Sequence, residues 1–391
     1  MNPEISGRKR WKVSAERRKA LRFILLLGLV SLLGDVVYEG VRGVAGPFLA
    51  SLGASAAVVG AASGLGEFLG YGLRPLSGYL SDRWGGYWGL TFLGYLSLLS
   101  LPLLCLAGSW QLAVFLLLLE RMGKAVRTPP RDAILSHATS QVGRGWGFGI
   151  HEALDQVGAV AGPLLVALLI SLRGYREAFS FLFLPFLLLL FFLLLSWRLY
   201  PRPSLLESGR RVARVKGGFR LYLLFVVLST SGFLTFPLLA YRLASSFSSA
   251  EIPLLYALAM GTDALLALWA GRTYDRRGLS SLLLVPLLSI PIVPLAFLAG
   301  GKGGGLLAVV LWGASMGVQE TVMRAAVGEM VPGGKRGTAY GLFSSLYGFS
   351  GFAGNTLMGL LYSSPEVLVA FSLSAELLSL PVLLRLREVG T

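Results

Sequence analysis

Apolar stretches long enough to cross a hydrocarbon layer of ~30 Å as single helices recur twelve times along the chain. They fall near 20–42, 54–80, 86–107, 110–129, 145–171, 177–198, 219–242, 252–273, 279–300, 305–328, 338–362 and 366–386. The polar segments between them alternate in character. One set holds Arg83, the stretch from Lys124 to Arg144, the run from Arg198 to Arg220, Arg272, Arg276, Arg277, Lys335 and Arg336, together with both termini. The other set is short and holds little beyond Arg173, Arg176, Arg242 and Lys302. Loops rich in Lys and Arg stay on the cytoplasmic side, so both termini and the long central segment are expected there. That segment, 198–218, is basic, punctuated by Pro and Gly, and separates six spans from six. The chain therefore reads as an all-α membrane protein of twelve transmembrane helices in two six-helix repeats. The bundles cover 1–197 and 219–391, with a cytoplasmic linker between them.

Composition agrees with this reading. Of 391 residues 54% are hydrophobic and 14% charged, against about 45–50% and about 25% in soluble domains. Fifty glycines and 18 prolines are tolerated in membrane helices because neighbouring groups re-satisfy the backbone. The net charge of +15 raises a nucleic-acid alternative, but no basic patch interleaved with aromatics accompanies it, and no nucleic-acid partner is expected. The first apolar run follows basic residues as a signal peptide would. It lacks a cleavage site and continues past Asp35, so it is expected to be retained as a span. Cys105, the single cysteine, can form no internal disulfide.

The two halves repeat. Gly78-x-x-x-Asp82-Arg83-x-Gly85 after span 2 recurs as Gly271-x-x-x-Asp275-Arg276-x-Gly278 after span 8. Arg144-Gly145-x-x-Phe148-Gly149 at span 5 recurs as Arg336-Gly337-x-x-Tyr340-Gly341 at span 11. Repeats of this kind place a ligand site at their interface. The loop Gly78-Tyr79-Leu80-Ser81-Asp82-Arg83-Trp84-Gly85 resembles the signature loop of the major facilitator superfamily, G-x-L-x-D-R-x-G, without the basic residues that usually follow it. Span 5 carries Gly158-Ala159-Val160-Ala161-Gly162-Pro163, similar to the G-x-x-x-G-P element of antiporter members, although Val166 and Ala167 stand where glycines usually trail it. The stretch from Met122 to Ala133 resembles a prokaryotic branch of the superfamily. The resemblance covers essentially the whole chain. It implies a secondary transporter in which Asp82 docks on the start of span 11 and latches the halves at the cytoplasmic side, with Arg83 and Asp132 completing the latch.

Charged residues inside a membrane cost ~2.5–3.5 kcal/mol each at mid-bilayer on insertion scales, so each needs a partner or a task. Asp35, Glu39 and Arg42 share one face of span 1, and Glu67 and Arg74 one face of span 2. Desolvation holds a buried carboxyl towards its neutral form and an approaching cation reverses this, the property a proton-coupled carrier needs. Asp35 and Glu67 are therefore candidate protonation or substrate sites. The alternative is ion pairing for assembly, Glu39 with Arg42 and Glu67 with Arg74. Glu120, Lys124, Arg127 and Arg131 form a stripe on span 4 that Pro129-Pro130 is expected to interrupt. His151, Glu152 and Asp155 lie on span 5, where a clamp between basic span 4 and acidic span 5 is the simple account. Arg121 must find a carboxylate, and Asp155, on the Gly158/Gly162 face, has the cavity as a second destination.

His151-Glu152-x-x-Asp155 is one residue short of a zinc-binding H-E-x-x-H pattern, and the only other histidine, His137, is expected in a loop. Three convergent ligands are lacking, so no metal is expected. The second half offers Asp263 in span 8, Gln319, Glu320 and Arg324 in span 10, and neutral polar groups including Thr235, Tyr347 and Asn355 for a cavity wall. Neither a nucleophile–base pair nor a phosphate-cradling loop is present, so an enzyme is not expected, nor is a cofactor. The expectation is a monomeric, multi-pass transporter in the cytoplasmic (inner) membrane. Its partners are the lipid bilayer, a small-molecule substrate and a proton as coupling ion. It exports an organic solute by antiport or, as the alternative, imports a nutrient by symport.

Overall fold

The computed structural model describes residues 3–206, 218–243, 245–247, 251–299 and 301–390. Every regular element among them is helical, as it must be where no water satisfies the backbone. Eight helical runs among the described residues are long and apolar enough to cross a membrane, and one of them, Leu254–Phe297, holds two expected spans joined at Gly278. The runs at spans 2, 4 and 11 fall outside this set, although spans 4 and 11 are continuous helices of 33 and 25 residues. Charge and glycine lower their mean hydropathy, although each keeps an exposed apolar face, with Phe68 on span 2, Phe115 on span 4 and Phe352 on span 11. Residues 207–217 of the expected linker lie outside the described residues. Its start forms a short 3₁₀ turn, Pro203–Leu206, after the helix Phe183–Leu199, and span 7 begins at Gly218.

Proline breaks some spans and not others. Span 2 divides into Ala56–Gly72 and Arg74–Trp84, with Pro75 in the first turn of the second helix, where its missing N–H is not needed. Span 9 is split into Leu284–Ser289 and Ile292–Phe297. Span 4, by contrast, runs unbroken from Trp110 to Val142 through Pro129-Pro130, so the expected interruption does not occur. Pro129 leaves the carbonyl of Ala125 without its helical donor, and Ser77 of span 2 supplies one at 2.8 Å. In consequence Arg127, Arg131, Asp132 and His137 are buried helical residues rather than loop charges. Span 7 breaks between Gly232 and Phe236. Asn355 fills that break, accepting from the Thr235 N–H at 2.7 Å and donating to the Phe233 carbonyl at 2.9 Å. This is a structural task, in place of the cavity-wall role expected for Asn355.

Candidate functional site: a polar seam between the halves

The two halves meet through spans 2 and 11 and through spans 5 and 8. At the end that carries the basic loops, Asp82 accepts from the backbone N–H of Gly337 and Thr338 at 2.9 and 2.7 Å, from the Thr338 hydroxyl at 2.7 Å and from the Tyr87 hydroxyl at 2.6 Å. Its repeat mate Asp275 accepts from the N–H of Gly145 and Trp146 at 2.8 and 2.9 Å. Each carboxylate thus caps the first turn of a helix in the opposite half, where unpaired N–H groups and the helix dipole favour negative charge. Gly78 and Gly271 permit this, because a Cβ at either would drive into the backbone of Gly337 or Gly145. The motif's last glycines, Gly85 and Gly278, end their helices at φ of 65° and 56°, where a side chain would be strained.

Arg83 and Asp132 take no part in this latch. Arg83 donates to the Tyr79 hydroxyl of its own helix at 2.8 Å, and Asp132 is buried on span 4 with Arg131 at 2.9 Å. Arg276 is exposed.

Deeper in the first half the intramembrane charges pair among themselves. Arg121 binds Glu67 at 3.2 Å and donates to the Tyr38 hydroxyl. Arg42 holds Glu39 at 3.2 Å and reaches Glu67 at 4.0 Å. Arg127 pairs with Glu120 at 3.5 Å. The expected Glu67–Arg74 pair is replaced: Arg74 lies 4.3 Å over the Tyr71 ring and donates to the Gly70 carbonyl. Lys124 sits 3.6 Å over the Tyr38 ring, within electrostatic range of Asp35. Gly158 and Gly162 pack span 5 onto span 1, with no room for a Cβ against Leu32 and Val36, and Pro163 continues the same helix. That face brings Asp155 beside Asp35 and Ser31, with Arg131 and Arg324 also near it, so it lies between span 1 and the interface of the halves.

The span 4–span 5 clamp is likewise replaced for Glu152. This carboxylate binds Arg324 of span 10 at 3.0 Å across the interface, while Arg324 also holds Glu320 at 3.2 Å. Gln156 donates to Glu152 at 2.8 Å. Glu320 lies in a single π-helical turn, Gln319–Met323, of the kind found mostly at functional sites. Asp263 is wholly buried, and neither of its oxygens has a hydrogen-bond partner. The ring nitrogens of His151 are equally without partners. Among the described residues no cluster of His, Cys, Asp and Glu suits a metal ion. Glu376 of span 12, which sequence reasoning passed over, is also fully buried and is approached by the Ser229 hydroxyl at 3.4 Å. Arg324 and Glu320 were visible as an i,i+4 pair, but nothing in one sequence signals that Glu152 lies opposite them.

The chain belongs to the major facilitator superfamily of membrane transporters, whose sequence profile matches residues 24–355. It is a multi-pass membrane protein of that family. It is 42% identical over 383 residues to an uncharacterized protein of Mycobacterium tuberculosis, covering 94% of this chain and 93% of that one. It is 25% identical over 293 residues to the multidrug resistance protein MdtH of Salmonella typhi, covering 72% of each. Among solved structures, the superfamily transporter FucP in its outward conformation superposes with a TM-score of 0.68 at 14% identity, over 94% of this chain and 98% of that one.

Proposed function

We propose that this protein is a secondary active transporter that exports a small organic solute across the cytoplasmic membrane in exchange for protons. The observation that carries the reading is the close packing of span 5 on span 1 at Gly158 and Gly162, which makes Asp35 and Asp155 neighbouring carboxylates inside the membrane, with Lys124 near Asp35. Neighbouring carboxylates in a low-dielectric interior repel one another, and a proton on one of them relieves the repulsion. Glu67, 37% exposed beside Arg121, joins them as the carboxylate that solvent and solute reach. The glycines that seat span 5 on span 1 set this geometry and belong to the element that resembles antiporters. Similarity to a multidrug resistance protein supports the export direction.

Alternating access then follows from the latch. With Asp82 and Asp275 seated on opposite helix starts, the end bearing the basic loops is closed, and the mechanism requires both caps to release when that side opens. The test uses everted vesicles with a lumenal pH dye and a panel of solutes. A solute that alkalinises the energised lumen with the intact protein, but not with Asp35→Asn or Glu67→Gln, supports antiport and names a substrate. Lumenal acidification by a nutrient moves the reading to symport. Unchanged coupling in both variants removes the site assignment.

A further inference from the structure

Charge pairing within the membrane is also incomplete where the two halves meet. In the first half Arg121 and Arg42 serve Glu67 and Glu39, Arg127 serves Glu120, and Arg131 serves Asp132. Where spans 5, 8 and 10 meet, Glu152 and Glu320 share the guanidinium of Arg324. Asp263 adds a third carboxylate with no hydrogen-bond partner at all. The charged groups near it are Glu152, Asp155 and Arg324, and Arg324 is the one cation among these. The free carbonyl oxygen of Gln156 is a further idle acceptor beside Glu152. A buried carboxylate without counter-charge costs several kcal/mol. Among the described residues the seam thus sets three carboxylates, Glu152, Glu320 and Asp263, against the one guanidinium of Arg324 that pairs with two of them, which favours a further positive charge.

We infer that this seam binds an organic cation, of the amine, amidinium or quaternary ammonium class, and that Arg324 is a tethered stand-in for it. Arg324 and Glu320 are the partly open members of the cluster, whereas Glu152 and Asp263 are closed. A cation arriving at Glu320 meets the guanidinium that already occupies its counter-ions, and binding is an exchange of one cation for another. Because the Arg324–Glu152 bond joins the two halves, that exchange also breaks a contact across the interface, tying occupancy to conformation. Tyr256 of span 8, in electrostatic range of Glu320 and Asp263, and Tyr347 of span 11, whose hydroxyl donates to Gln319 at 3.2 Å, offer aromatic faces that suit an organic cation. The inference rests on the proposed export reading and supplies the charge of the solute.

The test is binding to the full-length protein in detergent, by thermal shift and equilibrium dialysis. The probes are tetraphenylphosphonium, benzamidine and ethidium, with benzoate and sucrose as anionic and neutral comparators. At least one cation is expected to stabilise the protein. Asp263→Asn and Glu320→Gln should each weaken its affinity about tenfold, and Arg324→Gln should strengthen it about tenfold by removing the competitor. Stabilisation by benzoate that disappears in Arg324→Gln overturns the inference, since Arg324 would then be an anion ligand. Stabilisation by none of the three cations overturns it too. If Arg324→Gln does not fold, the Asp263→Asn and Glu320→Gln affinities decide alone. Failure of the export reading is separate: a cation that binds but moves no protons in vesicles sinks the coupling and leaves the seam assignment standing. An anion exported with proton movement does the reverse.

Discussion

In the first half most charged side chains within the membrane find their partners at home, Arg121 with Glu67, Arg127 with Glu120 and Arg131 with Asp132; the exceptions are the neighbouring Asp35 and Asp155, and Glu152, which reaches Arg324. The second half has fewer, and it leaves them unfinished. Asp263 has no partner, Glu376 is fully buried and met only by hydroxyl groups, and Arg324 reaches across to Glu152. The two halves repeat in sequence and in their latches, yet most ion pairs of the first lie within it, while the buried arginine of the second is shared with its neighbour. An ion pair within one half stays satisfied in any arrangement of the halves. One whose arginine is shared with the other half changes its charge balance whenever the halves move, which is what coupling between occupancy and conformation requires.

Arg324→Met is the strongest way to break this comparison. It strands Glu152 in a closed interior, and losing one partner of a buried pair costs about 3–5 kcal/mol, measurable as reduced unfolding stability in detergent. Adding Glu152→Gln should restore most of the loss; a single variant of normal stability would mean that the cross-half pair contributes nothing. Next come the latches. Asp82→Asn should shift the population of the closed loop end by about tenfold, as expected for a lost helix cap of ~1–2 kcal/mol. Asp275→Asn, with two partners removed instead of four, should shift it less. Spin-label distances between the loops after spans 2 and 10 would read both, and equal effects would remove the ranking. Glu67→Gln is partly exposed, so its stability cost should stay below about 1 kcal/mol while proton coupling is lost in the vesicle assay. Arg83→Ala should change stability and turnover hardly at all, within about 0.5 kcal/mol, because its contacts lie within its own helix. A large defect there would restore it to the latch.

The residues of the seam show how legibility divides. Asp35, Glu67, Asp155 and Asp263 stand out in the chain because a carboxylate in an apolar run is conspicuous wherever it occurs. Their partners do not, since a span faces several neighbours and spacing fixes only which residues share its face. Hence heptad spacing points Glu67 to Arg74, yet it pairs with Arg121 from another span, and Glu152 passes over span 4 for span 10. Pro129-Pro130 misled for a related reason, because the hydroxyl that heals the break belongs to Ser77 of span 2.

Sequence by itself determined the membrane-spanning helical architecture, the two repeats and the motifs Gly78–Gly85 and Gly271–Gly278. Each of these follows from local hydrophobicity or from matching residues at one offset. Tertiary structure decided that the motifs dock crosswise, Asp82 on the start of span 11 and Asp275 on the start of span 5, and that Arg324 closes the seam. Hydrophobic burial in lipid fixes where helices run, but it is indifferent to which polar faces meet. That choice falls to close packing at glycines and to the cost of an unpaired charge, both of which depend on residues far apart in the chain.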